Sequence, residues 1–315
     1  MGWLARKLSS SRLKGRQIRR SDALTDQVVA VDGWLSATNY RNTDYRNTEL
    51  FQVAPAVTET TISNGCNSPS RYRTTHASII LPVYNEQACI HQTVNSVLAY
   101  AQAHPTYDFI FVSDGSTDQT VQILENRVAA SGSDRIHILA YPQQGGKGYA
   151  VRRGIEIAEG DFVCFIDGDL AYSLDHLDLL LSELELYEVA IGCRSLVPDG
   201  NQGLKPIRKI AGKIYNALSR HILNLQYIDM QAGLKGFQRA AAIRLFSLQE
   251  LTGFSFDVEL IYLAKKLGYS IAEIPARVSP SHVRKRSKVN LLGDSLEMLR
   301  DLLRIRFNDL MGRYE

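Results

Sequence analysis

The chain is poor in cysteine, has no long apolar run and carries almost no net charge, and each shortage excludes a class of protein. Its four cysteines (Cys66, Cys89, Cys164 and Cys193) lie far apart, with no CxxC pair and no histidine at ligand spacing. That spacing argues against a zinc site or a disulfide framework and points to a reducing, cytoplasmic setting. No stretch of about eighteen apolar residues occurs, so no spanning helix is expected. The start MGWLARKLSS lacks the apolar core of a secretory signal, and Arg6 breaks the myristoylation pattern. A formal net charge of +3 is too small to mark a nucleic-acid binder, and no nucleic-acid partner is expected.

What is present is a chain of 315 residues, 45% hydrophobic, long enough for one large α/β domain. Positive charge collects at the ends: Arg6, Lys7, Arg12, Lys14, Arg16, Arg19 and Arg20 near the start, and Arg284, Lys285, Arg286 and Lys288 near the finish. Residues 1–75 lack sustained periodicity and are rich in Asn, Thr and Ser, which reads as an arm. From Ser78 the texture changes. SIILPV (78–83), DFIFVS (108–113), IHILA (136–140) and DFVCFI (161–166) are short apolar runs with little alternation, separated by helical stretches near 86–103 and 118–131. Strands alternating with helices predict βαβ units and a mostly parallel, twisted sheet covered by helices on both faces. Further on, EVAIGC (188–193) and SIAEIP (270–275) read as strands, and 204–224, 255–267 and 290–310 as helices.

Ligands bind beyond the C-terminal ends of strands in such sheets, and acidic punctuation falls there: YNE (84–86), DGSTD (114–118) and DGD (167–169). Asp167 and Asp169 end a buried strand with one glycine between them. Two carboxylates about 4 Å apart repel by roughly 4 kcal/mol at an effective dielectric near 20, so a positive partner is expected. Mg²⁺ or Mn²⁺ suits a carboxylate pair completed by phosphate oxygens and water. Taken alone, DGD reads equally as a turn, and Asp114, Ser116 and Asp118 as caps for the next helix. YPQQGGKGYAVRRG (141–154) fits no phosphate-loop fingerprint and reads as a flexible loop, although Lys147, Arg152 and Arg153 bring charge near the crevice.

In succession, LPVYNE, VSDGSTDQT, GKGYAVRRG and FIDGDLAYS resemble the nucleotide-sugar-binding half of family 2 glycosyltransferases, inverting enzymes of the A-type fold. Downstream, GCRS, DMQAGLKGF, FDVELIYLAKKLGY and RKRSKVN are similar to the branch that acts on polyprenyl phosphates, in particular dolichyl-phosphate glucosyltransferases. The resemblance spans about 77–305. It implies a nucleotide-sugar site from Pro82, Tyr84, Glu86 (ribose), Asp114 (uracil edge), Ser116, Lys147 and Asp167, with Asp167 and Asp169 catalytic as holders of the metal on the diphosphate. It implies an acceptor-phosphate site from Arg194, Arg208, Arg284, Arg286 and Lys288. Mannosyl relatives place a Gln two residues after the second Asp; Ala171 stands here, which favours UDP-glucose as donor.

The expected organisation is therefore an arm (1–75), a catalytic domain (76–275), and a basic loop with an amphipathic C-terminal helix (276–315). Leu291, Leu292, Leu296, Leu299, Leu303 and Ile305 share one side of that helix, which suits either packing on the domain or a membrane surface. Together with the basic ends this predicts a peripheral enzyme on the cytoplasmic face of a membrane. Asp257 and Glu259 read as helix caps or salt-bridge partners. Three rivals are an enzyme of the same family with a polysaccharide or glycolipid acceptor, a metal-dependent nucleotidyltransferase, and an inert sugar-nucleotide or lipid-binding module. PVYNE, where a nucleotidyltransferase would have a Gly-rich loop, speaks against the second; the intact carboxylate pair speaks against the third.

Overall fold

The computed structural model describes residues 76–198, 206–279 and 293–315. The strands are β1 (Ala77–Val83), β2 (Tyr107–Asp114), β3 (Ile136–Tyr141), β4 (Phe162–Ile166), β5 (Val189–Cys193), β6 (Leu234–Gln238) and β7 (Ile271–Pro275). The helices are α1 (Ile90–Ala103), α2 (Thr120–Ser131), α3 (Lys147–Ile157), α4 (His176–Leu184), α5 (Pro206–Leu223), α6 (Arg239–Leu248), α7 (Phe256–Lys266) and α8 (Gly293–Leu310).

The seven strands form one sheet in the order β3-β2-β1-β4-β6-β5-β7. β1 pairs in parallel with β2 and β4, β2 with β3, and β5 with β7; β6 runs antiparallel to β4 and β5. Side chains of β1 alternate between two cores. Ile79, Leu81 and Val83 join one with Val94 and Val97 of α1 and Leu180 of α4, and Ile80 joins the other with Val151 of α3 and Leu263 of α7. Burial on both faces explains why these strands are apolar runs without alternation.

Four elements are missing from the sequence reading: α3, α4, α6 and β6. α3 occupies the stretch read as a flexible loop: the glycine pair ends the loop, Gly146 takes φ +99, and the helix starts at Lys147. β6 carries a lysine as its second residue, a pattern that hides a buried strand. Lys235 is nonetheless fully buried, because Asp257 of α7 and the carbonyl of Ala232 accept its protons at 2.7 and 2.8 Å.

Candidate active site

The C-terminal ends of β1, β2 and β4 deliver the three acidic motifs to one edge of the sheet, and the loops are laced together. Asn85, in the left-handed region at φ +51, receives the Thr117 N–H on Oδ1 at 2.7 Å and gives its own N–H to Ser116 Oγ at 3.1 Å. The Glu86 N–H reaches Thr120 Oγ1 at 2.7 Å, and Cys89 Sγ donates to Glu86 Oε2 at 2.9 Å. Asp118 Oδ1 accepts the Thr120 N–H at 3.0 Å at the start of α2, although Gln119 and not Asp118 occupies the capping position. Asp114 does not cap: its carboxylate accepts the N–H groups of Gly145 and Gly146 at 2.8 and 2.9 Å and the Tyr141 hydroxyl at 2.9 Å. It pins the loop that leads into Lys147.

At the end of β4 the Asp167 N–H donates to Gly233 O at 3.0 Å, and Asp169 Oδ1 accepts the Ala171 N–H at 3.0 Å. Between the loop carboxylates and the helix, Leu170 sits at φ +51, a strain of about 1–2 kcal/mol for a residue with a Cβ. The positive partner expected for the pair is present beside Asp167. Lys147 Nζ lies 2.9 Å from Asp167 Oδ1 and 3.5 Å from Asp257 Oδ2, so an alternating chain Asp167, Lys147, Asp257, Lys235 runs inward from the edge. Burial raises the Asp167 carboxyl pKa, and the charge of Asp169 adds to this, while Lys147 pulls the other way. Burial works against the Lys147 ammonium, yet Asp167 and Asp257 hold its pKa above the ordinary value. Lys235, the more deeply buried, is pushed down.

Gly233 makes this arrangement possible. A Cβ there would overlap the Asp167 carboxylate itself. Gly233→Ala is expected to push the carboxylate aside, lowering turnover about a hundredfold (about 2.7 kcal/mol of barrier) with the melting temperature little changed. Paired calorimetry and rate measurements check this, and a rate within twofold of the unaltered chain would contradict it.

On the other side of β4, just after β5, Arg194 meets Asp229. Nε lies 2.6 Å from Oδ2, Nη2 2.7 Å from Oδ1, and the Arg194 N–H also reaches Oδ2 at 2.9 Å. Asp229 is buried, which alone would raise its pKa, but the hydrogen bonds and charge of Arg194 outweigh this and hold it low.

The Glycosyl transferase family 2 profile matches residues 78–246, more than half of the chain. The chain is a family 2 glycosyltransferase. This glycosyltransferase is 28% identical over 250 residues to the dolichyl-phosphate beta-glucosyltransferase of Dictyostelium discoideum, covering 75% of this chain and 76% of that one. It is 30% identical to the mouse enzyme of the same name, over 91% of each chain. Its fold is similar to that of glucosyl-3-phosphoglycerate synthase from Mycobacterium tuberculosis in complex with Mn²⁺, UDP and glucosyl-3-phosphoglycerate, at a TM-score of 0.52 and 22% identity, covering 76% of this chain and 80% of that one.

The sequence-derived site of this glycosyltransferase divides in three. Glu86, Asp114, Ser116, Lys147, Asp167 and Asp169 belong to the linked loops above, with Pro82 on β1 and Tyr84 directly after it. Arg194 lies across β4 from them. Arg208 falls in the first turn of α5, but its side chain is outside the described residues, as are Arg284, Arg286 and Lys288 altogether. Arg152 and Arg153 bring no charge to the carboxylate pair: the first donates to Gln249 O at 3.3 Å and the second pairs with Glu156. Asp257 is a salt-bridge partner, as expected. Glu259 is neither cap nor ion pair among the described residues; it accepts the Glu250 and Leu251 N–H groups and the Tyr314 hydroxyl. Gly233 and Lys235 were not assigned from sequence, although both stand in the quoted run DMQAGLKGF.

Proposed function

We propose that this glycosyltransferase moves glucose from UDP-glucose to a polyprenyl phosphate with inversion at the anomeric carbon. The observation that carries the reading is the placement of the Asp167/Asp169 carboxylates and of the Arg194 guanidinium at neighbouring strand ends, an anionic half and a cationic half of one edge. Both mouse and Dictyostelium relatives are named for glucose transfer to dolichyl phosphate, and the fold relative holds UDP with Mn²⁺.

The donor set fits Mg²⁺ or Mn²⁺. No group of three metal-ligating side chains converges among the described residues, so a hard cation on Asp167 and Asp169 would draw its other ligands from diphosphate oxygens and water, as Mg²⁺ commonly does. When bound, it supplies charge neutralisation on the departing diphosphate. Lys147, held between Asp167 and Asp257, brings a positive charge to the same place. Asp114 spends three of about four acceptor sites on its loop, leaving one for the uracil edge, and Glu86 serves the ribose. Arg194, with Arg208, Arg284, Arg286 and Lys288, holds the acceptor phosphate. That phosphate is already anionic at neutral pH and attacks without a general base. Ala171, whose N–H and carbonyl are engaged by Asp169 and Ser279, offers no side chain to a metal, in keeping with the glucosyl reading.

Calorimetry with Mg²⁺ tests the donor: UDP-glucose is expected to bind at least tenfold more tightly than GDP-mannose, and the reverse order would overturn the assignment.

The lipid acceptor requires access to a bilayer, and no helix among the described residues is long and apolar enough to cross one. Two helices supply a surface instead. α5 and α8 pack on each other. Ile210, Ile214 and Leu218 at four-residue spacing on α5, and Leu296, Leu303, Phe307 and Leu310 on α8, stay exposed. Leu302 and Ile305 of α8 face the core instead. The sequence reading offered packing or membrane for α8; the helix divides between core and solvent. We place this apolar face on the cytoplasmic side of a membrane, with the basic ends near anionic headgroups. Leu303→Asp with Phe307→Asp removes about 3 kcal/mol of insertion energy, so co-sedimentation with anionic liposomes should fall roughly a hundredfold at unchanged UDP-glucose affinity. Equal sedimentation of both proteins would exclude the surface.

A further inference from the structure

Tyr172 stands between the two halves of the edge, and neither the family resemblance nor the mechanism above uses it. It lies three residues beyond Asp169 and is 3% exposed. Its ring is fixed from several sides. Its backbone forms an antiparallel bridge with Val278, the neighbouring Ala171 carbonyl accepts the Ser279 N–H at 2.8 Å, and the His176 ring stands edge-on at 6.1 Å. His176 is itself tied down by the Arg277 N–H at 3.2 Å.

One stretch of backbone brings Tyr172 and Arg194 together: the Ala276 N–H donates to Cys193 O, directly before Arg194, at 3.1 Å, and Val278 bridges Tyr172; the phenol accordingly feels the charges of Arg194, Asp229, Asp167 and Lys147. Despite this company its hydroxyl has no hydrogen-bond partner among the described residues. Nor is it one of the polar side-chain atoms sealed in the interior without a partner, which among the described residues are Gln249 Oε1 and Glu273 Oε1. The hydroxyl is therefore not sealed in the interior. Burial raises its pKa, so the phenol stays protonated and keeps a donor to offer.

Arg194 shows a matching surplus. Asp229 occupies Nε and one side of Nη2, and a guanidinium has five N–H donors in a planar fork. Nη1 has no partner. A buried phenol and a guanidinium edge, each with a donor to offer, suit a tetrahedral oxyanion, whose oxygens accept from both and gain the charge of the guanidinium. Asp229 would repel an anion, but its charge is committed to Arg194.

We propose that the Tyr172 hydroxyl and Arg194 Nη1 together form the seat of a phosphate monoester, Tyr172 donating to one oxygen and Arg194 to another. The inference rests on the proposed function in taking this phosphate to be the acceptor, and it adds a ligand-contacting residue that also couples the acceptor side to the Asp167/Lys147 side. Val278, the bridge partner of Tyr172, lies six residues before Arg284 in sequence.

The test uses the full chain with UDP and Mg²⁺, titrated calorimetrically with citronellyl phosphate and, separately, with inorganic phosphate. Tyr172→Phe keeps the ring and removes one donor to a charged oxygen. Citronellyl phosphate should bind about ten- to a hundredfold more weakly, UDP affinity should stay within about twofold, and the ligand-free melting temperature should not fall, since no internal hydrogen bond is lost. Weakening of both phosphates would place the contact on the phosphate group itself; weakening of citronellyl phosphate with inorganic phosphate unbound by either protein would show that the isoprenyl chain is needed to seat it. Both support the proposal. Equal binding of citronellyl phosphate by the two proteins, or no binding by the unaltered chain, overturns it. Loss of binding in Tyr172→Phe alongside an unaltered chain that transfers no glucose would uphold the phosphate seat and refute the proposed reaction; transfer with an unchanged acceptor Michaelis constant would do the opposite.

Discussion

Asp169→Asn is expected to cut turnover at least about a thousandfold, or about 4 kcal/mol of barrier, while leaving the fold intact. The expectation follows from what each carboxylate is doing. Asp167 is already neutralised in part by Lys147 and anchored through its N–H on Gly233. Asp169 holds its turn through the Ala171 N–H, a bond that the Asn side-chain oxygen can still accept. The substitution therefore removes charge and spares geometry. Asp167→Asn should be as damaging to the rate, but it also leaves Lys147 with Asp257 alone, so its melting temperature should change as well. A rate within tenfold of the unaltered enzyme for Asp169→Asn would remove the carboxylate pair from the chemistry.

The second large effect is on stability. Asp257→Ala deprives the fully buried Lys235 of its carboxylate partner and is expected to destabilise the fold by about 3–5 kcal/mol. Cation–ring contacts over Phe165, at 5.6 Å from the ring centre, and the Ala232 carbonyl do not replace the lost charge. The pH dependence follows by linkage. Burial already lowers the Lys235 pKa in the folded chain, and losing Asp257 lowers it further. The unfolded state then binds more protons than the folded one from the depressed folded value up to about 10.4, the unfolded value, and stability rises with pH across that window. Denaturant melts of Asp257→Ala should show a defect that shrinks from neutral pH to pH 9. The double variant Asp257→Leu, Lys235→Met should recover most of the loss, since a buried ion pair exchanged for apolar groups of similar size is often neutral. A constant defect across pH, or no recovery in the double variant, would mean that packing of α7 and not charge sets the cost.

Particular elements show what sequence carries and what it hides. β1, β2 and β4 were legible because burial on both faces leaves unbroken apolar runs, and their acidic ends announced the edge at which a site forms. α1, α2, α5, α7 and α8 were legible from periodicity to within a few residues. α3 was hidden by its glycines: Gly148 packs where a Cβ would strike Phe256, so a residue that reads as flexibility serves close packing. β6 was hidden by Lys235, whose partner Asp257 is supplied by a helix 22 residues later. The ion-pair chain behind Asp167 shares that origin. Its members come from α3, β4, β6 and α7, and nothing local in sequence pairs them. Arg194 and Asp229 are likewise 35 residues apart, and Tyr172 shows no feature in sequence that separates it from a core aromatic.

The central claim is glucose transfer from UDP-glucose to a lipid phosphate with inversion, and product analysis tests it directly. The enzyme is incubated with UDP-glucose, a polyprenyl phosphate and Mg²⁺, and the lipid fraction is examined by mass spectrometry and by the coupling constant of the anomeric proton. A glucosyl phosphate of the polyprenol in the β configuration, formed with the divalent cation and lost on its chelation, is the predicted result. An α product, or glucose released or passed elsewhere while the lipid phosphate stays unmodified, would contradict the account.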